Sequence, residues 1–552
     1  MRLIIVGGVA AGASCAARAR RLNETADIVI FERGEYVSFA NCGLPYYIGG
    51  DIPERNRLLV QTAEGLRRRF RIDVRTRTAV LVIDRKARQV LLLGPDGTER
   101  REPYDKLLLA PGAEPVRPPI PGIDDPRILT LRNLTDTDRI KALVDAGARR
   151  ALILGGGYIG LEMVEALRRR GLDVTLVEMA HQVMPALDAE MAEWLLRELK
   201  ANGVAVRLGT AAKAFAGSPA GVTATLSDGS TLEADLILVG VGVRPEVQLA
   251  KEAGLELGVT GGIAVDDRMR TSDPDIYAAG DAVEVTDPVT GRAALVPLAG
   301  PANRQGRIAA DNMCGRDSRY NGTLGTAIVR LFSLVAGMTG ANEKTLHRTQ
   351  RRFEKVYLHP GSHAGYYPGA APMAMKLLFD PDDGRLLGVQ IVGTHGVDKR
   401  IDVLATALRA GMTVYDLENL ELCYAPPFGS AKDPVNMAGF TAANVLRGDH
   451  RLVQPETVAR GTVPDALVLD VRTRQEYDAG HVHNAVLIPL DELRDRLDEL
   501  PRDRPIHAYC KVGLRGYVAQ RLLCQHGYDA YNMTGGFTTF EAVKTFLDRV
   551  GA

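Results

Sequence analysis

Two cysteines stand where a thiol could do chemistry. Cys42 lies in VSFANCGLPYYIGG, a stretch from Val37 to Gly50 that holds no charged residue and surrounds the thiol with aromatic and small side chains. A redox dithiol in C-x4-C spacing would need its second cysteine five positions away, and those positions hold Val37 and Tyr47. If Cys42 does redox work, its sulfur partner comes from outside the chain, and the N-terminus of a helix starting there is expected to stabilise its thiolate. Cys510 opens CKVGLRG, where a strand pattern runs through a glycine turn into a helix pattern. Such a loop turns backbone N–H groups toward the sulfur, with Gly513 in the turn and Arg515 close by. That is a cradle for a thiolate or persulfide anion. Cys15, Cys314, Cys423 and Cys524 have no such surroundings and read as structural. With no C-x-x-C spacing, no metal site is expected.

A second kind of chemistry is written in glycine. Gly155, Gly157 and Gly160 form G-x-G-x-x-G between a strand pattern and a helix pattern, and Glu178 closes the next strand. The glycines bring bare backbone N–H groups and a helix N-terminus against a dinucleotide pyrophosphate, and the glutamate takes ribose hydroxyls. A similar loop begins the chain, with Gly7 and Gly12 in place, Val9 at the middle position and Glu32 closing its strand. A Cβ at Val9 crowds the pyrophosphate, so the pair of loops carries more weight than the first alone. The residues after Glu178, MAHQ, include no Lys or Arg to neutralise a 2′-phosphate. NADH is therefore favoured, with NADPH possible.

The elements that must position these groups occur twice. RLIIVGGVAAGASCAARARRL…ADIVIFE and RALILGGGYIGLEMVEALRRRGLDVTLVE both read as strand, glycine turn, helix, strand. After each comes an alternating hairpin pattern with an Asp-Gly turn, Asp96-Gly97 and Asp228-Gly229, then an apolar strand, KLLLAPG and DLILVGVG. The predicted class is α/β with two related Rossmann-like dinucleotide-binding domains. From about residue 326 the phosphate loops disappear, and after NVLRGDH a polar stretch, 451–461, reads as a linker to a separate C-terminal unit.

At 552 residues the chain is too long for one core, and Lys+Arg and Asp+Glu balance at 68 each. That balance favours neither nucleic acid nor an anionic membrane. The start MRLIIVGG lacks a signal-peptide pattern, no apolar run is long enough to span a bilayer, and the cysteines are scattered. A cytoplasmic protein with free thiols is expected.

The segment TSDPDIYAAGDAVE reads as an Asp-bearing strand-to-helix junction and is similar to the second FAD motif of flavoprotein reductases, in which the aspartate, here Asp281, contacts the flavin ribityl chain. Residues 1 to about 450 resemble the coenzyme A disulfide reductase branch of the pyridine nucleotide-disulfide oxidoreductases, on GGVAAG, SFANCGLPYYIGG and CYAPPFGSAKDPVNMAG. The resemblance implies FAD in the first domain, a nicotinamide in the second, and one cysteine forming a mixed disulfide with coenzyme A. Arg21, Ser38 and Asn41 match positions that hold the nucleotide end of coenzyme A. Tyr366 and Tyr424, in GYYPG and CYAPP, match tyrosines that a partner subunit brings over the redox centre, with Tyr367 an alternative to Tyr366. A homodimer with a shared active site follows. VLDVRTRQEYDAGHVHNAVLIPL and AYCKVGLRGYVAQRLL resemble a rhodanese domain, which places Gly513 and Arg515 in its persulfide loop.

The resulting expectation has five parts: an FAD domain (1–117 with 246–325), an NAD(P) domain (118–245), an α+β dimerisation domain (326–450), the linker and an α/β rhodanese domain (462–552). The expected function is NADH-linked reduction of coenzyme A persulfide, polysulfide or coenzyme A disulfide, releasing hydrosulfide from a persulfide, with Cys510 relaying sulfane sulfur. Two rivals share these parts: an NADH oxidase or peroxidase cycling Cys42 through sulfenic acid, and a protein that is primarily a sulfurtransferase.

Overall fold

A computed structural model describes residues 1–463 and 465–551. The chain divides into two compact units, Met1–Met179 with Val204–Gly325, and Ala180–Gly203 with Thr326–Ala552.

The first unit contains the predicted repeat. One sheet has five parallel strands in the order Ile276–Ala278, Lys106–Leu109, Arg2–Val6, Asp27–Phe31 and Asp73–Arg75. The second runs Ala205–Leu208, Asp173–Glu178, Arg150–Leu154, Leu236–Val239 and Ile128–Leu129, again all parallel. Central parallel strands are covered on both faces, which is why Leu3-Ile4-Ile5 and Leu236-Ile237-Leu238 are continuous apolar runs with no exposure. Each predicted hairpin is a three-stranded antiparallel sheet, and Gly97 and Gly229 take positive φ at the turns. The segment around Asp281 departs from the expected strand-to-helix junction. A strand ends at Ala278, turns and a small hairpin follow, and the next helix begins only at Ala299.

The second unit holds the helix Ala189–Ala201, an antiparallel five-stranded sheet and a parallel five-stranded sheet. The antiparallel order is Ala327–Leu331, Leu334–Gly340, Leu386–Gly393, Met373–Phe379, Glu354–Leu358. The parallel order is Leu452–Val453, Ala530–Met533, Ile506–Tyr509, Leu467–Asp470, Val486–Leu487. Residues 451–461 are therefore not an open linker. Leu452–Val453 pairs with Asn532–Met533, and Pro455–Arg460 is a helix with proline in its first turn and left-handed Gly461 after it.

A buried ionic cluster joins the parts of this unit. Lys376, fully buried on the strand Met373–Phe379, donates to Asp188 at 2.8 Å, to Glu190 at 2.5 Å and to Glu343. Lys355 bridges Glu343 at 2.8 Å and Glu456 at 2.7 Å, tying the helix Pro455–Arg460 to the antiparallel sheet. Asp188, Glu190 and Glu343 lie close enough to ligate a metal, but the Lys376 ammonium already occupies the point on which they converge.

Candidate functional site

The two glycine loops share one geometry. Gly7 and Gly155 take φ of 94° and 101°, and a Cβ at Gly12 or Gly160 would fall 1.9 Å from the carbonyl oxygen of Gly7 or Gly155. Each strand-end glutamate is held at its loop: Glu32 accepts from the N–H of Gly8 at 2.8 Å and of Gly34 at 2.7 Å, and Glu178 from that of Gly156 at 2.6 Å. The helices that follow, Ala10–Leu22 and Tyr158–Arg169, begin without a side-chain cap, which leaves N-terminal N–H groups for an anion. A Cβ at Gly157 would meet nothing within 4 Å, so the loop is open where a pyrophosphate approaches. Val9 and Gly157 both have negative φ, so the middle position of neither loop needs the left-handed backbone that favours glycine. The residues present fit two dinucleotides.

Cys42 is exposed in a short 3-10 turn, Asn41–Gly43, directly before the helix Leu44–Gly49. That helix packs on Tyr158–Arg169, the helix of the second glycine loop: a Cβ at Gly49 would lie 3.1 Å from the backbone of Ala166, and Arg170 donates to the Ile48 carbonyl at 3.1 Å. The Tyr46 hydroxyl faces the Glu162 carboxyl at 3.4 Å. Sequence reasoning expected the helix end to stabilise a thiolate; in the chain alone the thiol is pushed up instead. Desolvation is the largest cause, followed by the carboxyl groups of Glu162 and Asp281, and a backbone hydrogen bond opposes them more weakly. Burial also lifts Glu162, to about 7, and lifts Asp281, against the pull of Arg132. Glu162, Tyr46 and Arg132 were not singled out in the sequence; Glu162, two residues after Gly160, was the most findable.

Ser38 adopts φ of 47°, in the left-handed region that a non-glycine residue rarely occupies, and donates its backbone N–H to Gly8 at 2.8 Å. The strained backbone thus ties the cysteine segment to the first glycine loop. Arg21 and Asn41 are exposed. The neighbouring Arg20 is instead buried and donates to the carbonyls of Phe70, Glu24, Ala26 and Arg71.

In the second unit, Tyr366 and Tyr424 meet through their hydroxyls at 2.7 Å, and both remain exposed. Tyr367 packs edge-on against His363 and takes no part in that pair. The loops carrying the pair are tied by a bond from the Ala364 N–H to the Gly429 carbonyl at 2.9 Å and by buried Arg400. Arg400 donates to the Ser362 carbonyl at 3.0 Å and to Asp433 at 2.8 Å. Arg400 and Asp433 support this site and were missed in the sequence.

Cys510 sits buried at the end of the strand Ile506–Tyr509, and the Gly513 N–H points at its sulfur from 3.2 Å. Gly513 has φ of 101°, which aims that N–H inward and starts the helix Leu514–Gln525. Arg515, beside Cys510, is held by two bonds to Glu476 at 2.8 and 2.6 Å, and Arg515 in turn holds the Glu476 carboxyl down at about 2. Of the cysteines read as structural, Cys15 is buried and Cys314 and Cys524 partly so; Cys423 is exposed beside Tyr424, so burial gives it no packing role.

Known proteins resemble the chain along its length. Residues 1–306 match the pyridine nucleotide-disulphide oxidoreductase family, 326–434 the dimerisation domain of that family, and 456–542 a rhodanese-like domain. A coenzyme A disulfide reductase of Staphylococcus haemolyticus is 37% identical over 447 residues, 80% of this chain and 100% of the relative. An NADH oxidase of Methanocaldococcus jannaschii is 36% identical over 453 residues, 81% of this chain and 99% of the relative. The reduced CoADR-RHD structure of Bacillus anthracis superposes with a TM-score of 0.96 at 48% identity, covering 98% of both chains. An NAD-dependent persulfide reductase of A. fulgidus gives 0.92 at 37% identity, covering 98% of this chain and 100% of that one. The chain is a flavin-type member of the pyridine nucleotide-disulphide oxidoreductase family, with its dimerisation domain and a C-terminal rhodanese-like domain.

Proposed function

We propose that this enzyme is an NADH-linked reductase of coenzyme A persulfide, polysulfide or coenzyme A disulfide that works through Cys42 alone. The observation that carries this reading is an exposed Cys42 with no partner cysteine, in one chain with Cys510 in a loop built to hold a sulfur anion. FAD, when bound, supplies Cys42 with two electrons taken from the nicotinamide. The Gly7–Gly12 loop, Glu32 and Asp281 would hold it, and Gly155, Gly157, Gly160 and Glu178 would hold NADH.

With a persulfide substrate, the Cys42 thiolate attacks the coenzyme A sulfur and the terminal sulfur leaves as hydrosulfide. The mixed disulfide of Cys42 and coenzyme A is then reduced by two electrons to the thiolate and free coenzyme A thiol. The sum is coenzyme A persulfide plus NADH giving coenzyme A thiol, hydrosulfide and NAD+. Arg21, Ser38 and Asn41 would orient the nucleotide end of coenzyme A. The Tyr366 and Tyr424 hydroxyls, presented by a second copy of the chain, would stabilise the departing thiolate. Relatives named coenzyme A disulfide reductase and NAD-dependent persulfide reductase support the substrate class.

The test is a mass spectrum of the purified protein before and after thiol reduction. A coenzyme A adduct confined to the Cys42 peptide and lost on reduction is expected; its absence after incubation with coenzyme A disulfide would sink the reading. The relative named NADH oxidase favours one other reading, Cys42 cycling through sulfenic acid. Oxygen uptake in step with NADH consumption, with no sulfur substrate present, would establish it.

A further inference from the structure

The persulfide loop is gripped by residues that lie outside the rhodanese-like stretch 456–542. On one side stands His450, buried just after the helix Pro434–Leu446. Its Nε2 lies 2.8 Å from Nδ2 of Asn532, and the same Nδ2 donates to the Gly513 carbonyl at 3.2 Å. Gly513 is the residue whose N–H meets the Cys510 sulfur. Asn532 is itself buried, and its Oδ1 has no hydrogen-bond partner among the described residues. The amide is therefore oriented by its donor side, which needs two acceptors, His450 Nε2 and the Gly513 carbonyl. Burial pushes the His450 pKa down to about 4, so the ring is neutral at ordinary pH and can accept. The backbone of Thr441 also hydrogen-bonds the His450 side chain, and the ring lies edge-on to Tyr517 at 4.6 Å.

The opposite side is held by the dimerisation domain. The Tyr357 N–H donates to the Thr534 hydroxyl at 2.9 Å, and His359 Nε2 is 2.9 Å from the Thr539 hydroxyl. Between these two contacts, the N–H groups of Phe537 and Thr538 take the carbonyls of Cys510 at 2.8 Å and Lys511 at 3.0 Å. With its carbonyls drawn away on that side, the loop has little freedom to re-form if the Gly513 end is released.

We infer that His450 is a positioning residue of the sulfur-carrying site: through Asn532 it fixes the Gly513 peptide so that its N–H stays on the Cys510 sulfur. Persulfide chemistry at Cys510 thereby depends on a side chain that the rhodanese-like domain does not contain. The inference rests on the reading of Cys510 as a sulfur carrier.

The test uses the full-length, FAD-loaded enzyme with His450→Leu, which removes the acceptor, and His450→Gln, whose side-chain carbonyl restores one at similar reach. Three quantities are read: thiosulfate-to-cyanide sulfur transfer, the pH profile of Cys510 alkylation resolved by peptide mass, and NADH-linked reduction of free coenzyme A disulfide. His450→Leu should lose about tenfold or more in sulfur transfer and move Cys510 alkylation to higher pH, since one hydrogen bond to the anion is lost. His450→Gln should stay within about threefold of wild type, and NADH-linked reduction should be unchanged in both. If His450→Leu also loses NADH-linked reduction, Asn532→Ser, which deletes the shared donor without touching the helix before His450, decides between the same outcomes. Unimpaired sulfur transfer with an unmoved alkylation profile overturns the role of His450. A wild-type chain that takes up no sulfur at Cys510 overturns the sulfur-carrier reading itself.

Discussion

The hydroxyls of Tyr366 and Tyr424 meet at 2.7 Å across 58 residues of sequence, on two loops pinned together by buried Arg400. Two phenols sharing one hydrogen bond while both remain exposed have no packing to gain from the arrangement. The shared bond also holds the Tyr366 proton more tightly, since its pKa is raised first by Tyr424. Such a pair, kept protonated, is suited to donating a hydrogen bond to an anion that docks on it.

Replacement of either hydroxyl should therefore act on turnover and leave stability alone. Tyr424→Phe or Tyr366→Phe should lower kcat for coenzyme A disulfide on the order of 10²-fold, with FAD content unchanged. The double variant should be little worse than the poorer single one, because the pair acts as a unit. Steady-state kinetics with coenzyme A disulfide checks this, and additive losses would show that the two hydroxyls act separately.

Glu162 makes the thiol chemistry pH-dependent in a direction that can be worked out. Its carboxyl, lifted to about 7 mainly by burial, is neutral below that pH and becomes an anion facing Cys42 above it. The charge opposes thiolate formation, so Glu162→Gln should shift Cys42 alkylation to lower pH and raise its rate at pH 8 several-fold. Because the folded pKa lies above the ordinary carboxylate value, the neutral carboxyl favours folding at acid pH and that contribution is lost as pH rises through about 7. The glutamine variant should accordingly gain stability over wild type as pH rises from 4.5 to about 7 and keep that gain above it. An alkylation profile identical to wild type would remove Glu162 from the thiol's surroundings.

The glycine loops, their strand-end glutamates and the doubled strand-helix pattern were legible because each signature is local and recurs. What the sequence hid is carried by contacts between distant segments. Glu162 reaches the Cys42 segment through Tyr46, and the short strand Leu452–Val453 looks like open chain until Asn532–Met533 supplies its hydrogen bonds. The two tyrosines could be picked out by their motifs, but their meeting depends on Arg400 and Asp433, whose roles no spacing rule announces. The expected thiolate stabilisation at Cys42 failed for a similar reason: the opposing carboxyl groups come from residues 162 and 281.

Lys376 is the largest single liability of the second unit. It is the shared partner of Asp188, Glu190 and Glu343 with no exposure of its own, so Lys376→Met would leave Asp188 and Glu190 buried without their ammonium and Glu343 with Lys355 alone. A loss of about 3–5 kcal/mol is expected in the unfolding of that unit. Burial alone would lift the Glu343 pKa, but Lys376 and then Lys355 draw it down to about 2. This depressed pKa contributes stability above the unfolded value near 4.5 that is lost as pH falls toward 2. The gap between wild type and Lys376→Met in calorimetry should therefore narrow across that acid range. A gap that widens there would show that the ammonium is not what holds Glu343 charged.

The two thiols should divide the work. Cys510 lies in a loop with an N–H on its sulfur and Arg515 beside it, while Cys42 stands exposed among groups that suit a flavin site. Cys510→Ser should abolish sulfur transfer from thiosulfate to cyanide and leave NADH-linked reduction of free coenzyme A persulfide largely intact. It should slow turnover of polysulfide, whose chains must first hand a sulfur to the rhodanese-like domain. Cys42→Ser should show the reverse, retaining FAD and thiosulfate-to-cyanide transfer while losing NADH oxidation with every sulfur substrate. The two variants mixed in equal amounts give a sharper result: if Cys510 serves Cys42 through free coenzyme A persulfide, polysulfide turnover should recover when coenzyme A is added. Recovery without added coenzyme A would require direct transfer between chains. If Cys510→Ser matches wild type on every sulfane-sulfur donor, the relay is wrong, and the loop that holds Cys510 serves some other acceptor.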